Sequence, residues 1–355
     1  MKRGYYIGLD THSPFTEFAV MTEAGKISQR GQCATTIPAI SDVLRAVPRP
    51  RFVTFEEGPL AGWLYRNLRE DVDRLIVCEP RRNRLIAEDG DKDDPVDAGK
   101  LAALLRGGYL KEVHQAETLE RAVFKQHVSI YHGRVRHRVR EALQLISLFR
   151  RHGVVIREKN FADTSERKSL LERLPAQRTL RDDVRLLWSS YDLACKHEER
   201  VRRRLVELSK EEEAIVRFEA LPGIGWVRGA TLFAILDTPW RFSNKSALWK
   251  YLGIGLERRR SGNGREQLHV PKQVNRILKS TILGAAKSAA AQGDNPFADQ
   301  YRRWLQDGLS IRLARRNVAR SLSATLWGLW KNGTAYHPDW VGVAAAAMAA
   351  APVSL

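Results

Sequence analysis

The chain has 355 residues, 43% of them hydrophobic, with a formal net charge of +18 and an isoelectric point near 10.1. Three scattered cysteines without a C-x-x-C pair give no disulfide framework and no zinc site, and no long apolar anchor is present. The charge is uneven: residues 1–100 carry a net −1, so residues 101–355 carry +19, which points to a polyanion partner, nucleic acid before a membrane surface.

The cysteine usage fits a reducing cytoplasm, and the N-terminal stretch MKRGYYIGLD lacks the apolar run of a signal peptide. Tyr5–Leu9, Thr16–Met21 and Lys26–Cys33 read as three strands, the last two joined by a turn at Glu23-Ala24-Gly25. Helix at Ile37–Val47, strand at Arg51–Phe55, helix at Leu60–Leu68 and buried strand at Arg74–Cys78 follow. A meander followed by helix–strand–helix–strand predicts a mixed α/β sheet covered by helices. In GDKDDPVDAGKLAALLR a further helix begins near Pro95, with Asp91, Asp93, Asp94 and Asp97 crowding its start. Aspartates there cap orphan N–H groups and oppose the helix dipole; Asp94 and Asp97, one turn apart, also suit a metal site.

After Gly107-Gly108 the chain becomes helical and basic. Residues 121–160 hold ten Lys/Arg against two Glu, and Arg134, Arg136, Arg138 and Arg140 within them are candidate nucleic-acid contacts. In Arg181–Lys210 the apolar positions Val184, Leu187, Tyr191, Ala194, Val201, Leu205 and Leu208 keep a 3–4 spacing that Glu198 interrupts. This fits a short coiled coil, in an oligomer or a hairpin, and equally an amphipathic helix packed within its own domain. LPGIGWVRGATLFAIL is helix-hairpin-helix-like: Gly223 and Gly225 would expose backbone N–H groups to a phosphate, although a structural turn explains the same glycines. Residues 241–280 hold ten Lys/Arg and two Glu. The Ala-rich tail from Val341 to Leu355 is too short and too weakly apolar to span a bilayer.

Two constellations carry chemistry. Asp10 ends the first strand and Glu56 the fourth; with Asp94 and Asp97 they form a set of acids that repel one another unless cations lie between them. Oxygen-only ligands suit Mg²⁺ or Mn²⁺, and a pair of such ions about 4 Å apart serves phosphodiester chemistry. Glu57 competes with Glu56, but alternation sends the two to opposite faces, and Glu56 directly follows the apolar run. His12 is a candidate neighbour of Asp10 or a surface histidine. The other constellation is LGIGLERRRSGNGREQLHVPK, where Ser261 follows Arg258, Arg259 and Arg260. A serine there can be a nucleophile if its proton is removed, but His269 is eight residues on and no triad is visible. Locally the segment reads as a phosphate-binding or merely flexible loop.

IGLDTH, VTFEEG and DKDDPVDAGKLA, followed by LPGIGWVRGATLFAIL and LGIGLERRRSG, resemble the DEDD-type transposases of bacterial insertion sequences, the IS one-ten group. The resemblance runs over nearly the whole chain in the same order. It implies a RuvC-like (RNase H-like) nuclease domain with Asp10, Glu56, Asp94 and Asp97 binding Mg²⁺, a coiled-coil connection, and a transposase domain with Ser261 as nucleophile. It also implies recombination of DNA guided by a structured noncoding bridge RNA, in a homo-oligomer whose nuclease domain on one protomer meets the serine domain of another. The motifs depart from the family at EEGPLAGW, which offers two glutamates, and at the serine, which follows an arginine where many members have two serines. The expected domains are 1–108 (nuclease), 109–216 (basic helical), 217–340 (transposase) and 341–355 (tail) in a cytoplasmic, nucleoid-associated protein. Two rival readings are a structure-selective endonuclease of the Holliday-junction-resolvase type, which needs no serine, and a non-catalytic nucleic-acid-binding protein.

Overall fold

The computed structural model describes residues 4–80, 94–259, 267–269, 271, 273–339 and 341, and gives the backbone alone at 94–96, 257–259 and 267–269. Asp91, Asp93, Arg260, Ser261 and nearly all of the Ala-rich tail lie outside these residues. The chain divides into two compact units, Met1–Ala122 and Val123–Leu355.

The first unit holds β1 (Tyr5–Thr11), β2 (Phe15–Met21), β3 (Ile27–Ala34), α1 (Ile37–Arg45), β4 (Arg51–Glu56), α2 (Ala61–Leu68), β5 (Arg74–Cys78) and α3 (Asp94–Gly107). The sheet order is β3-β2-β1-β4-β5; β1, β4 and β5 run parallel, and β2 is antiparallel to both its neighbours. Alternation decides the layers. Ile7, Leu9, Phe18, Val20, Val53, Phe55, Leu75 and Val77 form one core with Ile40 and Leu44 of α1 and Leu64 and Leu68 of α2. The opposite face of the sheet, at Gly8, meets Ala98, Leu101 and Ala102 of α3. Helix α3 lies over β1 and β4 on that face, so both faces of these central strands are covered, which is why β4 reads as a nearly continuous apolar run.

Cap chemistry sets the helix ends. Thr36 accepts from the Ala39 N–H at the start of α1. At its end the buried Arg51 guanidinium donates to the carbonyls of Leu44 and Val47, at 2.7 and 2.8 Å, and to that of Asp71 at 2.6 Å. A cation at the negative end of the dipole satisfies carbonyls that the helix leaves open.

Among its described residues, the second unit is helical but for one short hairpin. It comprises most of α4 (Leu119–Arg151), then α5 (Lys159–Ala162), α6 (Arg167–Glu172), α7 (Arg178–Lys210), α8 (Glu213–Glu219), α9 (Trp226–Leu236), α10 (Lys245–Tyr251), β6 (Glu257–Arg259), β7 (Gln267–His269), α11 (Arg276–Ala291), α12 (Pro296–Gln306) and α13 (Ile311–Asn332). Helices α4 and α7 form an antiparallel pair: His127 meets the Val201 carbonyl at 3.2 Å, Arg138 meets Glu198 at 2.7 Å, and the Phe149 and Trp188 rings lie 6.3 Å apart. The stripe on α7 is therefore occupied by α4 of the same chain. Its interruption, Glu198, is the position where an ion pair replaces an apolar contact. Two cores result, one around Phe149, Phe161, Leu170 and Trp188, the other around Phe218, Phe233, Ile282 and Leu322. The expected boundaries at 108 and 216 follow composition; by contact, the basic helical middle packs with the C-terminal helices.

Candidate active site and nucleic-acid interface

Leu9 of β1 stands beside Phe55 of β4, so Asp10 and Glu56 are the next residues of two parallel strands and share one end and one face of the sheet. Asp10 also lies two residues beyond Gly8, on the α3 side. Helix α3 runs antiparallel to β1. Its C-terminal Arg106 donates to the Glu23 carbonyl at 3.3 Å, in the β2–β3 turn at the opposite end of the sheet. Its N-terminal turn, with Asp94 and Asp97, thus arrives at the end that carries Asp10 and Glu56.

The close seat of α3 depends on Gly8. A Cβ built there would fall 2.1 Å from the Ala98 carbonyl oxygen and 2.7 Å from the Ala102 nitrogen, so backbone rests on backbone. Pairing continues the acidic row: Asp10 is opposite Glu17 of β2, Glu17 is opposite Gln32 of β3, and Gln32 donates to Glu17 at 2.7 Å. On the other side Glu56 pairs in register with Cys78 of β5, which is fully buried. His12 sits 3.2 Å from Asp10, and Lys100 forms a 3.7 Å ion pair with Asp97. Glu57 is exposed past the strand end, its N–H donating to the Cys78 carbonyl. Register therefore favours Glu56 as the acid beside Asp10.

Among the described residues, no three Asp, Glu, His or Cys side chains stand closely enough to hold a metal ion. The side chain of Asp94 is outside that set. The donor chemistry nevertheless fits a hard divalent cation: every candidate is a carboxylate, and three elements carry them to one sheet end.

In the second unit Gly223 has φ +81°, and a Cβ there would fall 2.3 Å from the Ala285 carbonyl oxygen and 2.7 Å from the Ala289 nitrogen. Arg228 donates to the Gly223 carbonyl at 2.7 Å and to Ser288 Oγ at 2.9 Å, tying the PGIG turn to α11. Gly223 thus has a structural task. Gly225, the N-cap of α9, is different: an added Cβ would meet nothing within 4 Å, and the residue lines an open cleft of about 500 Å³ with Arg228, Ser288 and Asn295.

Strands β6 and β7 are antiparallel, with Arg258 opposite Leu268 and Arg259 opposite Gln267. They flank residues 260–266, where Arg260 and Ser261 lie outside the described residues. Of the four candidate nucleic-acid contacts on α4, Arg134, Arg136 and Arg140 are exposed. Arg138 instead points into the α4–α7 seam and forms ion pairs with Glu158 and Glu198.

Two family models match this chain, in the order of its two units. Residues 7–153 match a DEDD transposase model of the IS110 elements, and residues 216–302 match the model described as the transposase IS116/IS110/IS902 family. The chain belongs to the IS110 family of transposases. The first match includes Asp10, Glu56, Asp94 and Asp97, and the second includes the PGIG turn and Ser261. A stretch of 136 residues, 38% of the transposase chain, is 25% identical to an insertion element IS116 uncharacterized 44.8 kDa protein of Streptomyces clavuligerus. That stretch spans 34% of the Streptomyces protein. Among the described residues of the transposase, no helix is long and apolar enough to cross a membrane.

Sequence reasoning passed over three residues. A glycine inside a strand, Gly8, signals close backbone approach. Glu17 sits on the same face as Asp10 by alternation, but the link needs the β1–β2 register. Arg228 carries no local signal, because its partners come from a turn and from a helix sixty residues on.

Proposed function

We propose that this transposase cuts and rejoins DNA with Asp10, Glu56, Asp94 and Asp97 as its metal-binding acids and Ser261 as its nucleophile, guided by a noncoding bridge RNA and acting as a homo-oligomer. The acidic domain would be RuvC-like. One observation carries the reading: the first turn of α3 arrives at the sheet end where Asp10 and Glu56 stand side by side. The excess of +19 on residues 101–355 supports binding of DNA and RNA together.

Strand ends and a packed helix carry the acids to one end of the sheet, where a divalent ion would draw the carboxylates together. Magnesium or manganese bound there would neutralise phosphate charge and acidify a bound hydroxyl. His12 and Lys100 orient Asp10 and Asp97. The Ser261 Oγ forms a bond to phosphorus while the bond to one sugar oxygen breaks, and the serine proton ends on that departing oxygen. Rejoining is the reverse step with a different sugar hydroxyl, so no external energy source is consumed.

The test uses labelled DNA carrying the element's own ends, with Mg²⁺ and RNA supplied. On denaturing gels the wild type should give a protein–DNA adduct and joined product. Ser261→Ala should give neither, and Asp97→Asn should lose at least about a thousandfold in rate while still binding DNA. Efficient cleavage by Ser261→Ala without an adduct would make water the nucleophile and the protein a resolvase-like nuclease. Normal joining by Asp97→Asn would remove that residue from the acid set.

A further inference from the structure

Helix α13 contains no acidic residue along its whole length, yet it carries Arg312, Arg315, Arg316 and Arg320 in its first half. Arg312, Arg316 and Arg320 recur every four residues, so they form one row with a repeat of about 6 Å. Arg312 is exposed and the other two are half-buried. Like charges at this spacing repel. Among the described residues no carboxylate pairs with any of the three; burial, and then the neighbouring arginine, lower the pKa of Arg316 and of Arg320. A partly desolvated row of cations without counter-charge is an arrangement completed by a linear anion.

The inner end of the row has an address. Arg320 Nε donates to the Ile254 carbonyl at 3.0 Å, and its guanidinium lies 5.9 Å from the Trp249 ring. The Trp249 indole N–H donates back to the Arg320 carbonyl at 3.1 Å. Ile254 is fully buried and stands three residues before β6, the strand that leads to Ser261. The row thus starts at the surface and ends at the root of the serine segment, within a single unit. The repeat is of the order of the separation between neighbouring phosphates on one strand.

We propose that Arg312, Arg316 and Arg320 bind successive phosphates of the DNA strand to be cut, and lead that strand toward the segment carrying Ser261. The choice of DNA over RNA rests on the proposed transposase reading, because the strand that reaches the serine must be the one cut. Arg320 is also a structural staple, so the test leaves it intact.

The test compares full-length wild type with the double variant Arg312→Gln/Arg316→Gln. Anisotropy titrations use a duplex DNA and an RNA of equal length from 50 to 300 mM salt. The duplex log–log slope should fall by roughly 1.8, since two phosphate contacts are lost, and DNA affinity at the lowest salt should drop at least about tenfold. Arg312→Lys/Arg316→Lys should restore most of the slope, because this contribution depends on charge. RNA affinity should be nearly unchanged. Arg178→Gln/Arg185→Gln, which removes the same charge around Asp182, should leave the DNA slope as it is. An unchanged slope in the row variant, an equal loss from the Asp182 control, or an equal loss for RNA would each overturn the proposal. Binding needs no chemistry, so a failure of Ser261 or of the acids in the cleavage assay would be seen separately.

Discussion

In the N-terminal unit an added Cβ at Gly8 would fall 2.1 Å from the Ala98 carbonyl oxygen; in the C-terminal unit one at Gly223 would fall 2.3 Å from that of Ala285. Each glycine also lies 2.7 Å, by the same measure, from the nitrogen four residues further along the helix, of Ala102 or Ala289. The same packing device occurs twice, with opposite surroundings. At Gly8 it seats a helix whose first turn brings acids to a sheet end. At Gly223 it fixes a turn beside basic helices. The backbone differs too: Gly223 needs φ +81°, whereas Gly8 lies in an extended strand. One contact needs only space, while the other needs space and a left-handed backbone.

The largest expected effect separates these two requirements. Gly223→Ala should destabilise the C-terminal unit by roughly 3–5 kcal/mol, from overpacking plus the left-handed penalty. Gly8→Ala should cost the N-terminal unit about 2–3 kcal/mol, from overpacking alone. Native-state hydrogen exchange reads the two units apart, which a global melt does not. If Gly8→Ala proves the more damaging, backbone conformation is not what distinguishes the sites.

A smaller effect contrasts two arginines on α4. Arg138→Gln leaves Glu158 and Glu198 without their shared cation and should cost about 1–3 kcal/mol in urea titrations, with the DNA salt slope unmoved. Arg136→Gln, on the exposed face, should barely alter stability but lower the duplex slope by roughly 0.9. A slope change in Arg138→Gln would mean that the seam opens to admit nucleic acid.

The smallest effect is a difference in acid sensitivity. His132, 3.0 Å from Thr231 Oγ1, is held below the ordinary imidazole value by burial and then by Arg136. Its unfolded form binds the proton more readily, so this contribution is complete above pH about 6.5 and is lost as pH falls through the lower folded value. In the N-terminal unit the Arg51 N–H is the main cause holding Asp73 below the usual carboxylate range. Burial pushes Asp71 up, but the neighbouring Ser41 hydroxyl and the Arg45 guanidinium, which donates to it at 2.9 Å, outweigh that and leave the carboxyl lowered as well. Those contributions persist down to about pH 4 and fade only below it. Exchange protection around His132 should therefore fall between pH 7 and 5 while that around Asp73 holds. Simultaneous loss would show that His132 does not govern the difference.

Much of this was legible in advance, for a physical reason. Strand alternation and helix spacing are local, so Arg74–Cys78 is found as expected and β1 to β4 differ by a residue or two at their ends. Alternation says only that one of Glu56 and Glu57 faces the acids, with Glu56 favoured as the residue next to the apolar run; the register supplies the side on which Asp10 lies. What stayed hidden depends on distant partners. Arg134, Arg136, Arg138 and Arg140 look alike in sequence, and only the packing of α7 selects Arg138 for the seam. The apolar stripe on α7 left two outcomes open until α4 was seen to fill it. Gly8 could be flagged as a close approach, but the helix that approaches begins more than eighty residues later.

The fully buried Cys78 gives the protein a built-in clock for the sheet edge that carries the candidate acids. The thiol adjoins Glu56 in register, so reagents reach it only when β4 and β5 part or the unit unfolds. Cys33, raised by burial and then by Glu17, and Cys195, raised by burial, are slow thiols that label from partly exposed positions. With Cys33 and Cys195 replaced by serine, the rate of Cys78 alkylation would time the opening of the acidic edge in the ligand-free protein. Slower alkylation when a divalent ion or DNA is added would measure how firmly each closes that edge, in an experiment that needs no turnover and no knowledge of the target sequence.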